Sequence, residues 1–148
     1  MMAIARWQDW EGHGLEHCLC RKAADGLTFE GVVAGTRHGA YGGYYLVRTD
    51  AEFRTREVQV VYVGGPSLHV EADGRGNWRD VIGSRSLPNL NGCIDVDIGI
   101  TPATNTLPIK RLNLREQESR EITVAYVPLP DQIDGVFCPN GQSNAIPA

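Results

Sequence analysis

The chain has 148 residues, enough for one hydrophobic core and little more. Hydrophobic residues make up 42% and charged residues 22%, which excludes a disordered chain. Fourteen Lys and Arg against eighteen Asp and Glu leave a net charge of -4, so the charge balance carries no footprint for nucleic acid, and no apolar run is long enough to be a transmembrane segment.

The opening MMAIARWQDWEGHG puts Trp, Asp and Glu where a secretion signal needs an apolar stretch, so a cytoplasmic location is expected. Cys18, Cys20, Cys93 and Cys138 are then expected as reduced thiols. They form no C-x-x-C pair, and His17 and Cys18 point to opposite faces of a strand, so neither a metal nor another cofactor is expected. Seventeen Gly and eight Pro are scattered along the chain, as suits many short strands joined by turns.

Alternation dominates. In Leu15 to Cys20, Leu15, His17 and Leu19 share one face, and Glu16, Cys18 and Cys20 the other. Leu27 to Ala34 is a second strand, with Gly31 expected to mark a bulge or bend. A turn over 40–43 leads into a strand ending at Arg48. Arg56 to Val63 is the clearest strand, stopped by Gly64-Gly65-Pro66. Ser67–Ala72 and Asn77–Ile82 form a hairpin across Asp73-Gly74-Arg75-Gly76. Further on, Ile94, Val96, Ile98 and Ile100 alternate with Asp95 and Asp97. Thr101 and Pro102 start a short helix, which Pro108 is expected to end near Leu107. Strands are expected again at Ile109–Leu114 and Glu121–Val127. One domain over 1–130 is expected, followed by a poorly ordered Pro/Asn/Gly-rich tail over 131–148.

Two runs carry a resemblance: Asn91-Gly92-Cys93-Ile94-Asp95-Val96-Asp97-Ile98, and Thr101-Pro102-Ala103-Thr104-Asn105-Thr106-Leu107-Pro108-Ile109-Lys110-Arg111-Leu112. With Gly14-Leu15-Glu16-His17-Cys18, Thr55-Arg56-Glu57-Val58 and Asp73-Gly74-Arg75-Gly76-Asn77-Trp78, they resemble the bacterial putative glycolipid-binding family, formerly a domain of unknown function. The resemblance implies a mainly β fold: a spiral β-roll, a curled antiparallel sheet wrapped around one short α-helix. It also implies a homodimer and a positively charged surface pocket. Family members run on for several more strands; without them the expectation here is an unpaired sheet edge or an uncovered apolar face beside the last strand, Glu121–Val127, unless the tail folds back over it.

The expected function is non-catalytic binding of a glycolipid or another amphipathic, anionic molecule. Its apolar part would lie along the concave face of the sheet and its head group would meet arginines. The candidate ligand-binding residues are Arg48, Arg56, Asp95, Asp97, Asn105, Arg111 and Trp78. Arginine presents a fork suited to phosphate or carboxylate, but Arg48, Arg56 and Arg111 serve equally as ion-pair partners of Asp50, Asp95 or Asp97. Asp95 and Asp97 are two residues apart on one strand face, about 6–7 Å. That separation allows acid–base work with Arg111, the enzymatic alternative. A dimeric structural or interaction module, joined through an exposed strand edge, is the other alternative.

Overall fold

The computed structural model describes residues 1–37 and 39–128. The tail expected over residues 131–148 lies outside the described residues.

Eight strands follow one another in a single antiparallel sheet, each paired to the next in sequence. They are β1 (Met2–Gln8), β2 (Leu15–Ala23), β3 (Gly26–Gly35), β4 (Tyr41–Thr49), β5 (Thr55–Tyr62), β6 (Ser67–Ala72), β7 (Trp78–Asp80) and β8 (Arg85–Ser86). Glycine at positive φ closes several of the connections, as at Gly12 (φ 78°) and Gly74 (φ 77°). The sheet curls without closing into a barrel. A second, two-stranded parallel sheet joins β9 (Asp95–Ile98) to β10 (Val124–Val127). Between them a 3-10 turn at Ala103–Asn105 runs into the short helix α1 (Thr106–Arg111).

One row of inward side chains crosses the sheet as Phe29, Val47, Val58 and Val70. Val47, Val58 and Val70 have no solvent exposure, and neither do Leu90, Ile98, Leu107 and Val127, which belong to the same core cluster. Along this row the concave face is filled by the chain's own side chains, which leaves no room there for a ligand's apolar part.

Several expected elements are corrected. Pro108 is the third residue of α1, not its end. The first N–H groups of a helix have no intrahelical acceptor, so proline is tolerated there. The helix continues to Lys110 and Arg111, whose charges suit its C-terminal end, and no strand forms at Ile109–Leu114. Expected strand Asn77–Ile82 shrinks to β7, because Asp80 accepts the Gly83 N–H at 3.0 Å and turns the chain. Expected strand Glu121–Val127 shrinks to β10, which pairs with β9 on one side and buries Val124, Ala125 and Val127. Register passes unbroken through Gly31, so there is no bulge there. The strand β1 was not anticipated at all.

Candidate functional site

The inward face of β2 carries Glu16, Cys18 and Cys20, which leaves a carboxyl group among core side chains. Glu16 is only 3% exposed. Trp7 of β1 and Val33 of β3 are its register partners. Tyr45 lies one strand further away, on β4, and reaches it because Gly31 stands between them. A Cβ at Gly31 would sit 2.5 Å from Tyr45 Cζ and 2.6 Å from its hydroxyl. The missing side chain lets the ring lie across β3, and the Tyr45 hydroxyl donates to Glu16 Oε1.

A second donor comes from far along the chain. The Thr101 hydroxyl, in the turn after β9, donates to the same oxygen at 2.6 Å. Thr101 Oγ1 also accepts the Ala103 N–H at 3.0 Å, so one side chain both starts the helical segment and ties it to β2. Burial raises the Glu16 pKa above its ordinary value, with the Thr101 and Tyr45 hydrogen bonds opposing. A carboxyl group that keeps its proton can donate as well as accept. Burial likewise pushes the Tyr45 phenol far up, assisted by hydrogen bonding to Cys18 and Glu16.

Glu16 lines a half-open cavity of about 260 Å³. Trp7, Val33, Tyr41 and Ile100 form its walls, and the exposed Asp9 and Arg37 stand at its open side. Tyr41 repeats the device of Tyr45: a Cβ at Gly35 would sit 2.8 Å from its hydroxyl, so its ring lies over that glycine. Stacking on Tyr62, with centroids 6.4 Å apart and planes at 19°, holds the other side of the ring. Asp9 Oδ1 accepts the His13 N–H at 2.6 Å and shapes the turn between β1 and β2. A neighbouring hollow shares Asp9 and Arg37 and adds Trp10 and His13.

The residues expected to bind ligand lie elsewhere, and the structure does not bring them together. Arg48 pairs with Glu57 at 3.4 Å. Arg56 donates to the Ala72 carbonyl at 2.9 Å and stands 3.8 Å from Asp50. Trp78 is buried and donates its indole N–H to the Cys93 carbonyl at 2.8 Å. Arg56 and Trp78 do line one shallow hollow. Arg111 grips the buried Asp95 with two bonds of 3.1 and 2.6 Å. Asp97 is half-buried, and burial raises its pKa against a hydrogen bond from Thr104. Asn105 is exposed and makes no side-chain cap at the start of α1.

The hollow holding Arg21 and Arg48 also holds Asp25 and Glu30, and the one holding Arg56 and Arg79 holds Glu71 and Asp73. Each has acids beside its arginines, unlike the positively charged pocket the resemblance implies. Cys18 and Cys20 are free thiols, and among the described residues no three His, Cys, Asp or Glu side chains converge as metal ligands would. Among the described residues, no helix is long and apolar enough to cross a membrane.

In the sequence Glu16 shows only as an acid alternating with two cysteines, and Leu15 and Leu19 make the opposite face look equally apolar.

Residues 4–133 match the family described as Putative glycolipid-binding. A crystal structure of a DUF1089 family protein from Pseudomonas aeruginosa is similar to the chain, with a TM-score of 0.69 and 33% identity, covering 89% of this chain and 71% of that one. No curated protein matches the chain.

Proposed function

The chain belongs to the putative glycolipid-binding family, and from there we propose that it binds the hydroxylated head group of an amphiphile, without catalysis, in the Glu16 cavity. The observation that carries this reading is a buried, hydrogen-bonded carboxyl group between two aromatic walls. The faces of Trp7 and Tyr41 carry the negative side of the ring quadrupole and suit the C–H faces of a sugar. Glu16 offers an acceptor to a hydroxyl, and a donor as well whenever it holds a proton. Arg37 offers a fork to a further hydroxyl or to an anionic group.

The size supports a head group only. At about 260 Å³ the cavity falls just short of the roughly 300–1,000 Å³ typical of ligand pockets. The interior beyond it is packed, so an acyl chain has no place inside the roll. Acid–base chemistry at Asp95 and Asp97 is less favoured, because Arg111 already occupies both oxygens of the buried Asp95. A homodimer along the open edge of β1, where Met2 and Ile4 are exposed, is consistent with the same reading.

Native mass spectrometry of protein isolated from its own cells tests the proposal. The expected result is a retained hydroxylated amphiphile that Trp7→Ala loses. Equal retention by both proteins, or none in either, would count against it.

A further inference from the structure

Because all eight strands of the main sheet pair in sequence order, their connections alternate between its two ends. The segments 9–14, 36–37 with 39–40, 63–66 and 81–84 therefore share one rim. Three of them carry an exposed apolar side chain: Trp10 is fully exposed, Val63 is 73% and Ile82 63% exposed. Leu15, at the start of β2, adds a half-exposed fourth. The connections at the opposite end present Asp25, Glu52, Asp73 and Arg75 instead. Met1 and Met2 are also exposed at that end, beside the N-terminal ammonium, which donates to the Lys22 carbonyl. Ile4 and Val32 are exposed along the strands, away from the connections, and Val61 is exposed beside the 63–66 connection, one residue before the end of β5.

We propose that this rim docks on a lipid bilayer, with Trp10, Val63 and Ile82 entering the interface so that the cavity reads head groups in place. The inference rests on the head-group reading above, and two features select a bilayer as the occupant. The apolar groups stand on separate turns, as shallow anchors do, with an indole at the position where bilayer interfaces favour Trp. The packed interior leaves the acyl chains of a bound amphiphile nowhere to go but the membrane they came from. The cavity opens on this rim, since Asp9 and Arg37 line both it and the hollow beside Trp10. Charges along the rim are mixed: Asp9, Glu11 and His13 lie near Arg37, and Asp80 pairs with Arg85 at 3.1 Å. That balance suits a neutral surface rather than a strongly anionic one.

Phosphatidylcholine vesicles carrying a minor fraction of a monoglycosyl diacylglycerol provide the test. The triple variant Trp10→Ser, Val63→Ser, Ile82→Ser should bind them on the order of tenfold more weakly, given the apolar area withheld from the bilayer. Brominated lipid should quench the wild-type fluorescence, and Trp10→Phe should remove most of that quenching. Equal vesicle binding by wild type and triple variant would overturn the proposal. So would self-association of the wild type that the triple variant abolishes without any vesicle binding, because the rim would then face a second copy. A soluble methyl glycoside, titrated in parallel, separates the two readings. Loss of glycoside binding by the wild type would defeat the head-group reading, whereas loss of rim-dependent vesicle binding alone would defeat only this one.

Discussion

Replacing Glu16 by Gln keeps an oxygen able to accept from Tyr45 and Thr101 but removes the titrating proton. The folded-state pKa of Glu16 is raised by burial, so within a window above the unfolded value of about 4.5 the folded chain holds a proton that the unfolded chain has released. Stability therefore falls as pH rises through that window, and the loss is complete once pH exceeds the folded pKa. Below the unfolded value both states are protonated and the group contributes no pH dependence. The steepest possible slope for one proton is about 1.4 kcal/mol per pH unit. Urea unfolding of wild type and Glu16→Gln from pH 4 to pH 8 measures the difference directly. Asp97 shifts in the same direction but is common to both proteins and cancels in the comparison. The variant should gain on the wild type as pH rises, then run parallel to it. A difference that is flat across the range would refute the claim that the buried Glu16 retains its proton.

Gly31→Ala should destabilise by about 1–3 kcal/mol in thermal or urea unfolding, because its Cβ would meet the Tyr45 ring at 2.5 Å and the ring is buried on all sides. The same variant should weaken head-group binding, since a displaced Tyr45 no longer holds Glu16. Arg111→Ala should destabilise by about 3–5 kcal/mol by leaving Asp95 buried without its partner, and the double variant Arg111→Met, Asp95→Leu should recover most of that loss. Amide hydrogen exchange should find Val124–Val127 protected about as strongly as the strands of the main sheet, because β10 is paired and buried. Fast exchange there would mean that β10 detaches from β9.

What the sequence made legible follows from how local each signal was. Alternation within single runs located β2 to β6, and the glycine-rich turns located their ends. The strand β1 escaped because its inward residues Ala3 and Ala5 are small and leave little contrast with their neighbours. The position of Pro108 is ambiguous in sequence, because a proline in the first helical turn and a proline that ends a helix look the same until the starting residue is known. Thr101 was read as a capping residue, and it does accept the Ala103 N–H; its bond to Glu16 joins residues 85 positions apart, and no local pattern encodes that. The spacing Gly31-x-x-x-Gly35 has a role only when set against Tyr41 and Tyr45, and that requires the register of β3 on β4. The ion-pair alternative for Arg111 is the one its contacts with Asp95 show.

Chemical-shift mapping with a short-chain alkyl glycoside is the most direct test of the central claim. Added to isotope-labelled protein, it should perturb the Trp7 indole and the amides around Gly14, Tyr41 and Ile100, and Trp7→Ala should abolish the response. Perturbations centred on Arg48, Arg56 or Trp78, or none at all, would contradict a head-group site built on Glu16.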